Sequence, residues 1–403
     1  MATVSNTFNN VASITQKAMN VIENNLTFTK FVNRQYDDQF KETGAKHGDT
    51  ANIRIPGFYQ VRSGAVAQPQ GYNDTYAPVK LAQYGVDLAF TTKELRLNVE
   101  DGEAFTSNVL NPMIAPLANY IDMLGLQQYT SIYQSCGTPG TAPTDLSGFL
   151  TAGAILDEAG VPRDGEWSAI MSPRTQASIV GGLKTLYNPT DDIAEQYRSG
   201  TMGRLAGGFK FSMDQNVQTQ TFGTVVQTTA QVTTTLPAEA ATSLTANSGS
   251  GNVAIGDTFT IAGVYKVNPQ SKQSTGQLQQ FVATAAGVYT TIAFQPPMYT
   301  AASGPLQNIT ALPISTAAIT FLSVASKVSP ADMVFHRDAF GLICADLKKP
   351  EGVPCTRVRS KKLNIAIRMV QWYNGTQDTE LYRLDVLFGW GVLRPTFACR
   401  VQN

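Results

Sequence analysis

Histidine offers little catalytic chemistry in this chain, because the sequence contains only two histidines, His47 and His336. Protein zinc sites use three or four His, Cys or carboxylate ligands at recurring spacings, and neither histidine lies in such a pattern. His47 stands in the segment Lys46–Asp49, and His336 lies between Asp332 and Asp338. A surface or salt-bridged histidine is the favoured interpretation, and no metal is predicted.

Three carboxylates, Asp191, Asp192 and Glu195, lie close together in the sequence. Paired carboxylates can perform general acid/base catalysis when burial raises the pKa of one of them. Here they follow Asn188-Pro-Thr, which is typical of a helix start, where aspartate caps backbone N–H groups. Capping is the preferred interpretation. An enzyme with an accessory β domain is an alternative that rests on this cluster alone.

The glycine-rich segment Gly203–Gly208 is not a phosphate-binding loop, because it lacks the Gly-Lys-Ser/Thr ending and carries an arginine within it. The sequence also lacks the GxSxG, HExxH and EF-hand patterns. We therefore expect a protein that is not an enzyme and that carries no cofactor.

Composition restricts the remaining function classes. Lys plus Arg and Asp plus Glu both number 30, so no net charge attracts nucleic acid or a membrane surface. Charged residues make up 15% of the 403 residues, against roughly 25% in average domains, so much of the polar surface is uncharged. Such a surface is desolvated more cheaply than a charged one, which favours extensive protein–protein contact. An ordinary β-rich protein is the alternative.

The four cysteines, Cys136, Cys344, Cys355 and Cys399, are widely spaced and form no CxxC pair. With no signal peptide at the start, reduced thiols in a cytosolic setting are expected. No apolar run reaches the ~20 residues needed to cross a bilayer, so no membrane association is expected.

A basic run alternates through Arg357, Arg359 and Lys361. A strand here would place the three side chains on one face. Such a row can be a solvated strand edge, a contact between subunits or a phosphate-binding surface. A solvated or inter-subunit role is favoured over direct contact with nucleic acid.

The first 36 residues are predicted to contain an amphipathic helix over residues 5–31. Apolar residues at helical spacing, including Phe8, Val11, Met19 and Ile22, form its stripe. That stripe must be buried, either on the same subunit or on a neighbouring one, and the sequence favours neither alternative. These four residues are therefore candidate inter-subunit contacts.

Residues 48–92 read as an extended β-hairpin arm. Two alternating segments, Thr50–Pro56 and Val79–Phe90, flank a long polar segment with few apolar residues. A segment of this kind is usually functional or disordered. Its candidate inter-subunit contacts are Arg54, Tyr59, Arg62 and Tyr72.

The longest helical pattern covers residues 104–136 and predicts a spine helix of roughly 35 Å after Pro112.

Residues 145–217 are predicted to form a compact α/β unit. From Gln218 to Ser326 only four charged residues occur, Glu239, Asp257, Lys266 and Lys272. Short strands separated by Gly, Pro, Asn and Ser predict a small β-barrel or sandwich inserted at 218–328.

Three stretches carry a likeness to a known family. They are Tyr197–Phe209 ahead of the insert, Ile255–Val264 inside it and Tyr382–Ala398 near the end. Together with the order of elements, they resemble the major capsid (coat) proteins of tailed double-stranded-DNA phages. More specifically, the chain resembles the coat proteins of the short-tailed, P22-like branch, which carry an inserted β-barrel.

The resemblance implies an α+β Hong Kong 97 type capsid fold with an inserted small β-barrel domain. It also implies self-assembly into hexameric and pentameric capsomers, together with a scaffolding protein, a portal and non-specifically packaged double-stranded DNA. The virion capsid is then the expected location, assembled in the host cytoplasm. An encapsulin-like compartment shell is a further alternative, because it shares the fold.

The expected division of the chain has six parts. These are an N-terminal arm helix (1–36), an extended β-arm (37–92), a peripheral domain with the spine helix (93–144), a first axial part (145–217), the inserted β-barrel (218–328) and a return through the axial and peripheral domains (329–403).

Overall fold

A computed structural model gives the architecture of most of the chain as two compact units. The residues that the structure describes are 11–34, 50–57, 59–62, 64–67, 69, 71, 75–91, 93, 111–182, 205–206, 208–225, 230–233, 237–322 and 325–403.

Among the described residues, the α-helices all lie before the insert, and strands dominate from the insert onward. The helices of the described residues are α1 (Val11–Asn25), α2 (Asn111–Leu126), α3 (Ser147–Glu158) and α4 (Pro173–Gly182). The first strands are β1 (Thr50–Ile55), β2 (Thr75–Lys80), β3 (Ala82–Thr91), β4 (Ser135–Gly137), β5 (Trp167–Met171), β6 (Leu205–Ala206), β7 (Phe209–Met213) and β8 (Thr219–Thr221). Those of the insert are β9 (Gln231–Val232), β10 (Ser243–Asn247), β11 (Asn252–Val253), β12 (Thr258–Val267), β13 (Ser274–Ala283), β14 (Gly287–Val288), β15 (Thr291–Gln295) and β16 (Ile319–Phe321). The last are β17 (Val328–His336), β18 (Phe340–Ala345), β19 (Cys355–Arg359), β20 (Ala366–Asn374), β21 (Thr379–Val392) and β22 (Ala398–Gln402).

The first unit comprises Met1–Ile53, Ala77–Gly125 and Gly341–Gly391. Its sheet has the order β18-β21-β20-β19, with β3 also paired to β21, and α1 packs on β19 and β20.

Asp122 of α2 fixes the turn that follows α1. Its carboxylate accepts hydrogen bonds from the backbone N–H groups of Phe28 (3.2 Å) and Thr29 (3.1 Å), at the start of a short 3-10 helix. These N–H groups have no partner within the helix itself, so a remote carboxylate acts as their cap.

The second unit comprises Arg54–Tyr76, Leu126–Phe340 and Val392–Asn403. A sheet of order β4-β22-β17-β5-β7-β6, with β8 paired to β17, forms its framework. Helices α3 and α4 pack on this sheet through an apolar cluster that includes Phe149, Leu156, Ile179 and Phe209. The sheet holds strands from both sides of the insert, so β17 and β22 complete a fold begun by β4 and β5.

The insert forms a sheet of its own, with the order β16-β12-β13-β15-β10-β9. Backbone hydrogen bonds from Val232 to Ala317 (3.0 Å) and from Ile319 to Ala230 (2.9 Å) join its first and last strands, so the sheet closes on itself. The interior is filled by buried apolar side chains, among them four packed phenylalanines, Phe259, Phe281, Phe294 and Phe321.

The spine helix is shorter than the sequence predicts. Helix α2 ends at Leu126, a 3-10 helix covers Gln127–Ser131, and the chain then enters β4. At 1.5 Å per residue, 16 helical residues span about 24 Å. The prediction up to residue 136 was wrong because Ser135 to Gly137 pair with β22, and this long-range pairing overrides the local apolar pattern. Residues 104–110 lie outside the described residues.

Two further strand predictions were wrong in extent. The expected strand from Val392 to Val401 is interrupted by a 3-10 turn at Pro395–Phe397, since proline supplies no N–H to a ladder. The expected segment from Val79 to Phe90 divides at Leu81, after which β3 pairs with β21. Helix α1 is described from Val11, so the predicted start at residue 5 lies outside the described residues.

Candidate assembly surfaces

Three large apolar or aromatic side chains that the structure describes on the arm are mostly exposed to solvent. Strands β1 and β2 pair to form its stem. Beyond the stem, Tyr59 is 60% exposed, Val61 is 92% exposed and Val66 is 78% exposed. The Arg62 guanidinium donates to the backbone oxygens of Gly64 and Val66 (3.2 Å to the latter), which gives this part of the arm a defined turn. Large apolar side chains gathered on one exposed segment are typical of a surface that a partner covers.

The predicted contacts on the arm occupy this exposed surface as far as the structure describes it. Arg54, Tyr59 and Arg62 are exposed. Tyr72 lies outside the described residues. Each remains a prediction as an inter-subunit contact.

The helix stripe at the N-terminus packs on its own subunit. Met19 and Ile22 are buried, and α1 contacts β19 and β20 of the first unit. Their assignment as candidate inter-subunit contacts is therefore corrected, because side chains already covered by their own chain present no surface to a neighbour. Phe8 lies outside the described residues, as does the side chain of Val11.

The structure also places the basic row of Arg357, Arg359 and Lys361 differently from the sequence prediction. Strand β19 ends at Arg359, and Lys361 stands exposed in the following turn, so the three side chains do not share one strand face. Arg357 and Arg359 both form ion pairs with Asp346, at 3.2 and 3.1 Å, and Arg359 also donates to Asn364 (2.7 Å). These two arginines hold the subunit's own loops. Arg357 and Lys361 are exposed and Arg359 is half-buried, and all three remain predictions as inter-subunit contacts.

Sequence reasoning missed a buried carboxylate, Asp385, in the centre of β21. It forms ion pairs with Arg368 of β20 (2.5 Å) and Arg383 of its own strand (2.8 Å). Burial alone would raise the pKa of Asp385, but the hydrogen bonds from both arginines outweigh it and lower the pKa. An aspartate within the apolar run Leu384–Phe388 is the sequence signal that could have revealed the site.

A second buried carboxylate fixes the end of the chain. Asp332 accepts hydrogen bonds from the backbone N–H of Ser172 (2.7 Å), the Thr175 hydroxyl (2.5 Å) and the Asn403 carboxamide (2.5 Å). Ser172 directly precedes α4, so one side chain ties the start of α4 to the last residue. Burial raises the pKa of Asp332 to about 6, although these three donors oppose the shift.

This shift gives a pH prediction. Because the folded pKa lies above the unfolded value of 3.8, the folded state binds more protons between about pH 4 and 6. The associated stability is present below pH 4 and is lost as pH rises through 6. A shift of about two units corresponds to about 3 kcal/mol. In Asp332→Asn, the new amide can hydrogen-bond the same neighbours after Thr175 and Asn403 reorient. We therefore expect the free energy of unfolding of this variant, measured with denaturant, to vary between pH 4 and 7 by about 3 kcal/mol less than that of the wild type.

The matched control is Asp378→Asn, which removes an exposed carboxylate from a turn. The free energy of unfolding of this control should depend on pH as that of the wild type does. An unchanged slope in Asp332→Asn would show that this carboxyl titrates normally in the folded subunit.

The insert is anchored on the second unit's own sheet and helix. Lys266 Nζ donates to the Ile155 carbonyl (3.3 Å) and Asn268 to the Glu158 carbonyl (2.9 Å), both in the last turn of α3. The last carbonyls of a helix have no intrahelical partner and carry partial negative charge, so a cation and an amide stabilise them. Gln280 exchanges two hydrogen bonds with the Ser135 backbone, at 2.7 and 2.8 Å.

Of the residues that the sequence offered for catalysis, the structure describes His336. His336 is buried, and its Nε2 lies within hydrogen-bond distance, 3.1 Å, of the Asp164 carboxylate. His47 and the cluster Asp191, Asp192 and Glu195 lie outside the described residues. Among the residues that are described, no group of three His, Cys, Asp or Glu side chains is arranged to hold a metal ion.

A family comparison decides the class. The model of the P22 coat protein (gene protein 5) matches residues 107–400, which is most of the chain. The chain belongs to the P22 coat protein family. It is a structural, shell-forming major capsid protein of a bacteriophage and not an enzyme, and the compartment-shell and enzyme alternatives have less support. Its fold is the α+β Hong Kong 97 type, as the sequence resemblance implied.

Solved structures give further likenesses. One from Mycobacterium phage Che8 is 12% identical, with 93% of this chain and 90% of that chain covered and a TM-score of 0.47. The capsid of Cyanophage P-SCSP1u is 12% identical over 88% and 83%, with a TM-score of 0.42. The I-domain of the CUS-3 coat protein is 28% identical over 23% of this chain and 94% of that chain, with a TM-score of 0.20. No curated protein matches the sequence.

Coat proteins self-assemble into capsomers, and this chain is a component of a phage capsid. Within the described residues, no helix combines the length and the apolar character needed to cross a membrane.

Proposed function

We propose that the arm between β1 and β2 is the surface with which each coat subunit covers a neighbouring subunit in the shell. The observation that carries this proposal is the exposure of Tyr59, Val61 and Val66 on one segment. In an isolated subunit, most of the surface of these side chains is exposed to water. A neighbour that covered them would gain the hydrophobic free energy of their burial at every repeat of the contact.

Charged and aromatic side chains on the same segment give the contact its orientation. Arg54 and Arg62 can donate to carboxylates or backbone oxygens of the neighbour, and Tyr59 adds an aromatic surface with a polar end. We propose these three, together with Tyr72 and the basic row Arg357, Arg359 and Lys361, as inter-subunit contacts.

We also propose the domain boundaries given by the sequence, with the insert at 218–328 as a separate folding module. Its two ends meet, because β8 pairs antiparallel with the start of β17 at Thr221 and Val328. Its apolar cluster is drawn from residues 225–321. Asp257 closes its entrance by accepting the N–H groups of Gly223 (3.1 Å) and Ala254 (2.8 Å). An inserted domain has chain ends that lie close together and an apolar core of its own.

A fragment of residues 218–328 is therefore expected to fold by itself and to melt cooperatively, as followed by circular dichroism and calorimetry. A fragment of residues 218–315 serves as the control, because it lacks β16, whose neighbouring backbone joins the sheet to β9. We expect no cooperative melt from the control. A broad, non-cooperative transition in the complete fragment would show that the insert depends on the rest of the subunit.

For the assembly as a whole, we propose hexameric and pentameric capsomers built in the host cytoplasm with a scaffolding protein and a portal, followed by non-specific packaging of double-stranded DNA. Family membership and the exposed arm support this proposal. Electron microscopy of the protein expressed with and without its neighbouring genes tests it. Closed, uniform shells are the expected result with those genes present. Discrete small particles under both conditions would contradict the proposal, and an enzyme cargo inside the shells would favour a compartment.

A further inference from the structure

The insert and the framework sheet have separate apolar interiors. The buried apolar cluster of the insert is drawn from residues 225–321, and the cluster between the framework sheet, α3 and α4 is drawn from residues outside this range. The two clusters therefore share no residue. Because apolar burial is the dominant favourable contribution to folding, the insert keeps its main source of stability when its contacts with the sheet are lost.

Polar groups form the hydrogen bonds that join the insert to α3 and to the sheet. Besides the two bonds at the end of α3, the Ser135 backbone pairs with the Gln280 side chain. The Ser135 hydroxyl donates to the Thr258 hydroxyl (3.1 Å), and Gln402 donates to the same oxygen (3.4 Å). Water replaces the lost partner of each group when the two surfaces separate, so the net contribution of each bond is small.

A buried cation beneath the insert lacks two of its hydrogen-bond partners. Arg400 of β22 is 1% exposed, and a Cβ added to Gly256 of the insert would lie 3.6 Å from its Nη1. Nη1 donates to Gln220 (2.8 Å), whereas Nε and Nη2 have no partner among the described residues, and the Tyr129 ring centre is 6.0 Å away. Burial lowers the pKa of Arg400 to about 10. Separation of the insert from β22 would let water bind both donors, which offsets part of the loss of the other bonds.

The surfaces on the two sides of this junction are also incompletely packed. A cavity of about 270 Å³ is lined by Thr151 and Ala154 of α3, by residues 277–280 of β13 and by Lys266. Such a space removes dispersion contacts that would otherwise hold the two surfaces together. Burial lowers the pKa of Lys266, although the Glu158 carboxylate opposes this shift, so the ammonium group is better hydrated when the junction opens.

The two chain segments that connect the insert to the sheet form a paired ribbon. Beyond the pair of β8 and β17, the Phe222 N–H donates to the Lys327 carbonyl (2.9 Å), and the Ser326 N–H donates to the Gly223 carbonyl (2.9 Å). A two-stranded ribbon can bend while its own hydrogen bonds stay intact. Hinges between moving bodies are a few residues in loops or at the ends of elements, and this ribbon has that position.

We propose that the insert is hinged to the framework sheet. It separates from α3 and from the sheet as one folded body, and it turns about the ribbon formed by residues 221–223 and 326–328. Separation breaks polar contacts and leaves both apolar clusters intact. The use of the hinge rests on the proposed function, because a hinged insert lets identical subunits fit the different surroundings of hexamers and pentamers. The hinge itself is a property of the single subunit.

Native-state hydrogen exchange of the unassembled full-length subunit, read at single amides by mass spectrometry, tests the hinge. The Ser135 N–H donates to the Gln280 side chain of the insert. The Arg400 N–H donates to a backbone carbonyl outside the insert (2.9 Å), and the Ala283 N–H donates to a backbone carbonyl within it (2.8 Å). We expect the Ser135 amide to exchange at least about tenfold faster than the other two, because opening of the hinge exposes it alone.

A single substitution weakens the junction selectively. In Asn268→Asp, Oδ1 still accepts the N–H groups of Gln270 and Ser271, so the turn is kept. The variant loses the donor to the Glu158 carbonyl and places a carboxylate at the negative end of α3. We expect this change to make exchange at Ser135 about tenfold faster or more.

In the same variant, exchange at Ala283 should stay unchanged, since the insert remains folded. Asn247→Asp makes the same chemical change at an exposed position on β10, and its amides should exchange like those of the wild type. Equal exchange of Ser135 and Arg400 in the wild type would overturn the hinge, as would unchanged exchange of Ser135 in Asn268→Asp. Acceleration of Ala283 together with Ser135 would also overturn it, because the insert would then unfold as it separates. None of these outcomes depends on assembly, whereas the role of the arm is measured by the yield of shells.

Discussion

Replacing Val61 and Val66 together by aspartate is expected to leave the subunit folded and to prevent the formation of closed shells. Both side chains are more than three-quarters exposed in the subunit, so their substitution should change the free energy of unfolding by less than about 0.5 kcal/mol. In the shell, each valine would lose about 1.5–3 kcal/mol of burial, and a carboxylate would be desolvated in its place. Because the contact is repeated in every subunit, these losses add over the whole assembly.

The measurement is the yield of closed particles by sedimentation and electron microscopy, beside a denaturant melt of the subunit. Ile314→Asp is the matched control, since Ile314 is 71% exposed but lies in the insert. Shells at normal yield from the double arm variant would refute the role of the arm. A lowered melting transition would instead assign the two valines to folding.

Replacing Asp385 by alanine is expected to destabilise the subunit by about 3–5 kcal/mol. The substitution leaves Arg368, whose side chain is only 15% exposed, without its ion-pair partner. Arg383 suffers less, because it is 42% exposed and also lies 3.7 Å from Asp87. Most of the loss therefore comes from one desolvated guanidinium in the middle of the sheet. Urea unfolding of the single variant measures it.

A double variant separates the charge from the packing. Asp385→Leu combined with Arg368→Met removes both partners, and we expect it to recover most of the stability that Asp385→Ala loses, because no unpaired charge remains. A double variant less stable than Asp385→Ala would show that packing, and not the stranded charge, sets the loss. Gly85 stands opposite Asp385 on β3, where an added Cβ would lie 2.5 Å from the carboxylate oxygen, so this site also fixes the residue across from it.

The sequence indicated the arm, the insert and the class of protein, but it left open which chain covers several of the candidate contact residues. Apolar spacing correctly marked Met19 and Ile22 as buried residues of a helix, and it contained no information about which chain buries them. Alternating charge placed Arg357 and Arg359 on a strand, which is correct. Their shared ion-pair partner, Asp346, lies 11 and 13 residues away in sequence, and no local pattern indicated it.

The sequence by itself determined the properties that depend on composition and local periodicity. These are the charge-poor insert, the polar segment of the arm, the scarcity of histidine and the short stretches that resemble phage coat proteins. Only the tertiary structure decided where α2 ends, how Asp332 and Asp385 are paired, and that Arg400 lies beneath the insert. Each of these depends on strand register or on contacts between residues far apart in sequence. Local patterns specify which face of an element is apolar, but they do not specify which distant residue meets that face.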